Sequence, residues 1–249
     1  MEHHSLISRT EDEVLWFKRR SVLAAAGAWT AMGGYSAAQA QQRSNVVQLT
    51  GDALVNGQRL MPQQSIQTGD QIDTGPGSDL VFVIGNASFQ VRQNSRLLVG
   101  RGETLNAVSL LRLLTGAVAS VWGKGSNRKI ITPTMTAGIR GTGVYNEVFA
   151  NQNNRSYLCN CYGTVDVQSG SEKIVSQSSY HQAFWSEPEP KAGKLLSPAK
   201  AINHTDEELE FLARLIDQRT AWQVMGKKGV KDGMGYMDDS ASNKHPASR

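Results

Sequence analysis

The sequence predicts an all-β fold: a β-sandwich, or a barrel-like or jelly-roll-like domain of short antiparallel strands, with one C-terminal α-helix. Three observations carry this. From Val46 to Trp185, short apolar runs are broken by Gly, Asn or Ser at a spacing of about 8–12 residues, the pattern of many short strands. Glycine is abundant, 24 of 249 residues, and charged residues make up only 19%. Glycine supplies the positive φ of tight turns, and low charge argues against a coiled coil or a charged helical bundle. Third, Asn56-Gly57 follows the short apolar run Ala53–Val55, and this pair suits a type I′ hairpin turn that needs positive φ twice.

The strands follow in order. Val46–Leu49 and Ala53–Val55 precede the Asn56-Gly57 turn, and the short run Gln71–Thr74 sits between Thr68-Gly69-Asp70 and Gly75-Pro76-Gly77-Ser78. Asp79–Ile84 reads as a buried strand stopped by Gly85-Asn86, and Ser88–Arg92 alternates polar and apolar residues. Further runs are Arg96–Val99, Ala107–Leu114, Ala117–Trp122, Lys129–Thr132, Val144–Phe149, Tyr157–Tyr162, Val165–Gln168 and Lys173–Gln177. The leucine-rich stretch Leu105–Leu114 also fits a helix. Its shortness and its strand-like neighbours favour a strand.

After Trp185 the composition changes. Residues 187–204, opening Glu187-Pro188-Glu189-Pro190, read as a linker or arm. Thr205-Asp206-Glu207-Glu208 fits a capping box, and Leu209, Leu212, Leu215 and Ile216 form an apolar stripe, so residues 205–222 are expected to form one helix. Such a helix is too short to stand alone and should dock on the β domain or a partner. Residues 223–249, rich in Gly, Lys, Asp and Ser without period, read as a disordered tail.

Residues 1–40 read as an export signal. Lys18-Arg19-Arg20 precedes a weakly apolar stretch from Val22 to Ala38, which ends in Ala38-Gln39-Ala40, an A-x-A cleavage pattern. Arg19 and Arg20 followed by Ser21-Val22-Leu23 look like a twin-arginine signal. An uncleaved membrane anchor is the alternative, disfavoured by the central Gly, Thr and Ser. The mature chain, from Gln41, is expected in a Gram-negative periplasm, with no span after cleavage.

Two stretches resemble the FecR family of periplasmic domains. One is Gly69-Asp70-Gln71-Ile72-Asp73-Thr74-Gly75, similar to that family's G-D-x-I-x-T-G turn-strand-turn; the other runs from Thr132-Pro133 to Gly138-Ile139-Arg140-Gly141-Thr142, similar to its T-P-x-x-x-x-G-I-R-G-T signature. Leu114-Thr115-Gly116-Ala117-Val118 sits where the family has an L-x-G-x-V strand, and the resemblance covers roughly residues 46–175. It implies an all-β periplasmic module for sensing and protein contact. The family's best-known members also carry a cytoplasmic anti-sigma segment and a membrane helix. Only about twenty residues precede the signal here, so a free periplasmic module is expected rather than direct transcriptional control. Physically, Gly138, Gly141 and Gly143 suit close turns, and Thr132-Pro133 ends a strand. Arg140 offers five donors for carbonyls at a chain reversal. An anionic ligand on Arg140 is the sharper alternative to this structural reading.

Cys159-Asn160-Cys161 lies in an apparent strand, where residues two apart share a face. An oxidising periplasm favours a tight, strained, easily reduced local disulfide. The competing readings are a soft-metal site for Cu(I) or Zn with a further ligand, for which His181 and His204 are the candidates, and two thiols without special role. His181 reads as a surface histidine, and His204 as a local polar contact at the helix start.

The sequence contains no nucleophile elbow, phosphate-binding glycine loop or HExxH, and its carboxylates are scattered through turns. The expected function is therefore non-enzymatic: a periplasmic sensing or protein-interaction module in envelope signalling, requiring no cofactor. Its expected partner is a periplasmic or outer-membrane protein. A net charge of +4 is too modest to point to nucleic acid. Carbohydrate or envelope-polymer binding is the alternative. Exposure of Trp122, Trp185, Tyr157 and Tyr162 on a sheet face would favour it.

Overall fold

The computed structural model describes residues 44–229 except 62, 103, 105, 106, 126 and 127. The leader and the last twenty residues, with Arg19, Arg20, Ala38 and Ala40, lie outside the described residues. Among those described, fourteen strands come first: β1 (Val46–Thr50), β2 (Ala53–Val55), β3 (Gln58–Arg59), β4 (Gln71–Thr74), β5 (Asp79–Ile84), β6 (Ala87–Val91) and β7 (Arg96–Arg101). Then follow β8 (Val108–Trp122), β9 (Arg128–Ile131), β10 (Thr136–Phe149), β11 (Arg155–Ser169), β12 (Glu172–Ser178), β13 (Gln182–Lys191) and β14 (Lys194–Ala199). Two helices follow among the described residues, α1 (Asp206–Arg214) and α2 (Ala221–Met225). No described helix is long and apolar enough to cross a membrane.

The fold is an all-β sandwich with C-terminal helices, as the turn-rich sequence predicts. The hairpin turn is where the sequence puts it, with Asn56 at φ 53° and Gly57 at φ 79° between β2 and β3. All pairings are antiparallel except β8–β9, which run parallel over Leu110–Arg112. Within the leucine-rich stretch, the residues from Val108 to Leu114 are strand, not helix.

The long strands differ from the expectation. The runs Ala107–Leu114 and Ala117–Trp122 are one strand, β8, and Tyr157–Tyr162 and Val165–Gln168 are one strand, β11. The glycines read as stops are bends. Gly116 (φ 75°) turns β8, whose first half pairs β7 and whose second half pairs β6 and β10. Gly163 (φ 98°) turns β11, which pairs β13 before it and β12 after it. A single positive-φ residue redirects a strand without ending the pairing on either side. The same device lets one strand serve both layers of the sandwich.

Alternation along the bent strands supplies two cores, one on each face. Val144 and Leu158 join Phe82, Phe89 and Trp122 in the inter-sheet core, where the Phe89 ring stacks on Phe82 at 5.0 Å and meets the edge of Trp122 at 5.1 Å. Their neighbours Tyr145 and Cys159 face the other way. There they form a second buried cluster with Tyr157, Cys161, Tyr162, Leu209, Leu212 and Trp222. The second core therefore lies between the sheet and the helices.

The C-terminal third needs three corrections. Residues 187–204 are not a linker: β13 runs on to Lys191, Ala192 (φ 49°) and Gly193 (φ 78°) make the turn, and β14 returns along it. The Pro- and Glu-rich composition hides a hairpin, because proline is tolerated where the ladder is interrupted, here between Ser186 and Lys191. The helix expected over 205–222 is two helices. α1 begins with the predicted capping box, Thr205 N–H donating to Glu208 Oε2 at 2.9 Å and Glu208 N–H to Thr205 Oγ1 at 3.3 Å. It ends at Arg214, the chain turns through Asp217 (φ 55°), and a second capping box at Thr220 and Gln223 opens α2. Finally, 223–229 are not disordered: Lys228 Nζ lies 3.0 Å from Asp206 and 3.3 Å from Glu210.

The helices dock as their apolar stripe requires. Leu209, Leu212 and Ala213 are buried, Ser88 Oγ donates to the Leu212 carbonyl at 2.7 Å, and Arg92 pairs with Glu208. These contacts supply the tertiary support that such a short helix needs.

The bend in β11 gives the first prediction. A Cβ on Gly163 would sit 2.6 Å from Thr142 Cβ and 2.9 Å from the Gly141 carbonyl oxygen, at a φ that side chains avoid. Gly163→Ala should destabilise the domain by about 2–4 kcal/mol, combining backbone strain with overpacking. Denaturant unfolding of both proteins checks this. A loss below about 0.5 kcal/mol, the range of ordinary surface changes, would contradict the bent-strand account.

Candidate functional site

The two family-like motifs come out as framework. Gly69 (φ 104°) donates to the Val99 carbonyl at 2.6 Å. The Asp70 carboxylate accepts from Gln67 N–H at 2.7 Å and Asn56 Nδ2 at 2.8 Å, closing the turn before β4. The Thr74 hydroxyl donates to the Arg92 carbonyl at 2.5 Å and accepts from Ser95 N–H at 2.9 Å. Gly75 N–H reaches the Asp52 carbonyl at 2.9 Å. Each group serves a chain reversal.

The second motif is a strand rather than a loop. Thr132 and Pro133 do end β9, with Thr132 N–H on the Met135 carbonyl at 2.9 Å. Gly138, Arg140, Gly141 and Thr142, however, all belong to β10, where Gly141 (φ 69°) marks a bulge between Arg140 and Gly143. Gly143 makes room for the Tyr162 ring, whose Cε1 would lie 2.4 Å from an added Cβ. Thr142 is fully buried. Among the described residues Arg140 pairs with a carboxylate rather than with carbonyls. Its side chain is 66% exposed and forms a cross-strand pair with Asp166, at 2.8 Å from Nε and 2.5 Å from the terminal nitrogen. Strand geometry explains the difference: Arg140 lies opposite Thr164, beside Asp166, on the solvent face.

The chemically distinctive site lies in the second core. Cys159 and Cys161 are on β11. His181 immediately precedes β13, and His204 precedes the α1 N-cap. All four side chains are buried, His204 being the most accessible at 9%. Their ligand atoms lie within 4.8 Å of one another. Cys159 Sγ is 3.5 Å from His181 Nδ1, Cys161 Sγ is 3.4 Å from His204 Nε2, and the two imidazole nitrogens are 3.1 Å apart.

The backbone explains the convergence. His181 N–H donates to the Cys161 carbonyl at 2.9 Å, so the reversal between β12 and β13 sets His181 beside the cysteine pair. His181 takes φ 44°, a left-handed conformation that costs a non-glycine residue of order 1–3 kcal/mol. Asn203, at φ 60°, turns the chain just before His204.

The far side of each imidazole is anchored. His181 Nε2 is 2.9 Å from Asp206 Oδ1, and His204 Nδ1 is 2.6 Å from the Ile202 carbonyl. Asp206 also accepts from Tyr180 Oη at 2.8 Å and faces Lys228 at 3.0 Å. Aromatic rings wall the cluster: Tyr145 stacks on His204 at 4.7 Å, and Trp222 stacks on His181 at 5.3 Å. Burial pushes the Cys159 thiol up, but its contacts with Cys161, His181 and His204 outweigh it and hold the thiol well below its usual range. Burial first, then the nearby cysteines, pushes the Tyr157 phenol up, so it stays neutral.

Two expectations are corrected here. No disulfide joins Cys159 and Cys161. An extended strand sets residues two apart about 6.6 Å apart at Cα, near the upper end of disulfide geometry. Here the thiols turn to the imidazoles instead. His181 is not a surface histidine but fully buried. The sequence holds two cysteines and five histidines, and the two histidines that fall within the described residues both come to the cysteine pair. These are the two histidines that the metal reading of the cysteine pair named as candidate ligands.

No family model matches the chain, and no curated protein matches it. Two crystal structures of a proposed anti-sigma factor from Parabacteroides distasonis ATCC 8503 are similar in part, at 7% and 8% identity with TM-scores of 0.42 and 0.43. Each alignment covers 57% of this chain, which spans 64% of the length of those chains.

Arg140 supplies the second prediction. An exposed ion pair contributes little, so Arg140→Ala should cost less than about 1 kcal/mol, or under about 4 °C in Tm for a domain of this size. A scanning-calorimetry loss several times larger would mean that Arg140 holds buried acceptors after all.

Proposed function

We propose that the chain is a non-enzymatic periplasmic module of the FecR type, acting in envelope signalling by contact with a periplasmic or outer-membrane protein. The observation that carries this reading is the burial of the rings a sugar-binding face would need. Trp122 and Tyr157 are fully buried, Tyr162 nearly so, and Trp185 is half-buried under the Arg155 guanidinium, 3.8 Å from its ring. Stacked sugars need an exposed aromatic platform, and these rings are committed to packing. The nucleophilic thiols and both imidazoles of the cluster are likewise closed off from solvent, which supports a non-enzymatic role. Periplasmic location is supported by the Arg19-Arg20 leader and its Ala38-Gln39-Ala40 cleavage pattern.

Two experiments test this. Changing Arg19 and Arg20 together to Lys should leave the precursor in the cytoplasm, as cell fractionation will show; normal periplasmic recovery would overturn the export route. For the contact itself, a photo-reactive residue at Val175 on β12 should cross-link in living cells to one defined envelope protein. Val175 is exposed, and within the described sheet β12 has only β11 as its full-length partner. Retention of the mature chain on peptidoglycan or polysaccharide, with release by free oligosaccharide, would instead favour carbohydrate binding.

A further inference from the structure

The cluster has the form of a coordination shell. The Asp206 carboxylate and the Ile202 carbonyl can only accept hydrogen bonds, so His181 carries its proton on Nε2 and His204 on Nδ1. The opposite nitrogens, Nδ1 of His181 and Nε2 of His204, point into the cluster 3.1 Å from each other, and in neutral rings they present lone pairs there. At that distance the two nitrogens either share one proton or hold a cation between them. Each also faces a sulfur, at 3.5 and 3.4 Å.

These three spacings are close to the edges of a metal polyhedron, within a set of ligand atoms that all lie within 4.8 Å of one another. With metal–sulfur bonds of about 2.3 Å and metal–nitrogen bonds of about 2.05 Å, a tetrahedron has N–N edges of about 3.3 Å and S–N edges of about 3.5 Å. The outer contacts are those of metal-bound imidazole: one ring hydrogen-bonded to a carboxylate, the other to a backbone carbonyl.

We propose that Cys159, Cys161, His181 and His204 form a closed tetrahedral centre for one Zn(II) ion, which staples the C-terminal helices to the sheet. Charge selects the divalent ion. Both cysteines bind as thiolates, and two thiolates with two neutral imidazoles and Zn(II) sum to zero. The nearby Asp206 carboxylate is already offset by Lys228. Cu(I) on the same ligands would leave a net negative charge in a buried site, which is costly. Four protein ligands leave no position for water or substrate, so the centre is structural. Its role follows from where the ligands sit: two on β11, one at the start of β13, and one directly before α1. The metal ties the strand pair to the segment that α1 and α2 continue.

The purified full-length chain from zinc-supplemented cells should contain one zinc per chain by elemental analysis. Both thiols should resist alkylation until a chelator removes the metal. Cobalt(II) exchanged into the site should show the intense visible bands of tetrahedral coordination and a thiolate charge-transfer band. Asp206→Asn should weaken zinc affinity about 10–100-fold, as loss of a carboxylate behind a metal-bound histidine does. His204→Gln should lose the metal. Should that variant fail to fold, the stoichiometry and thiol protection of the unaltered chain decide alone. A folded, zinc-free chain with alkylatable thiols, or one with a Cys159–Cys161 disulfide, would overturn the proposal, as would copper bound to the exclusion of zinc.

Discussion

His181 Nδ1 and His204 Nε2 face each other across 3.1 Å, and the arrangement of the C-terminal third depends on what holds them there. His181 is fixed from behind by Asp206, the first residue of α1, and His204 by the Ile202 carbonyl two residues before it. Asp206 gathers Tyr180 and Lys228 onto the same carboxylate. Through this node, the end of β12, the start of β13, the opening of α1 and the residues after α2 meet on a few polar atoms. In a buried site such a network stabilises only when its donors, acceptors and charges are matched. A metal ion with two thiolates and two imidazoles meets that requirement.

The sandwich supplies the frame. Its long strands bend at Gly116 and Gly163, and the outer face they share carries tyrosines and cysteines in place of a second aliphatic layer. That face needs a cover, and α1 and α2 provide it with Leu209, Leu212 and Trp222. The helices are too short to be stable without such contacts. The cover and the cluster beneath it therefore form one cooperative unit: loosening either exposes the other. The two motif stretches belong to the frame, since Gly69 to Gly75 and Thr132 to Thr142 are occupied with turns, a bulge and an exposed ion pair.

Features with a local physical cause were legible in the sequence. The Asn56-Gly57 turn, the turn-strand-turn around β4, the Pro133 stop and the Thr205 capping box each depend on a few adjacent residues, and each is found where the sequence puts it. What depended on distant partners was misread. Gly116 and Gly163 look like strand stops until both halves of each strand find partners. The β13–β14 hairpin lies under a Pro- and Glu-rich composition that reads as a linker. At the site, the same-face cysteine pair was visible from strand periodicity, but the place of His181 is set by a backbone bond to Cys161 across a reversal. Nothing in the spacing of Cys159, Cys161, His181 and His204 resembles a short metal-binding motif, because three separate pieces of the fold deliver the ligands.

The central claim is that these four side chains enclose a metal, and zinc-edge X-ray absorption of the purified chain tests it most directly. The account predicts a first shell of two sulfurs at about 2.3 Å and two imidazole nitrogens at about 2.0 Å, with the outer-shell scattering of two histidine rings. A shell of oxygen and nitrogen alone, without sulfur, would place any zinc elsewhere on the protein and contradict the account.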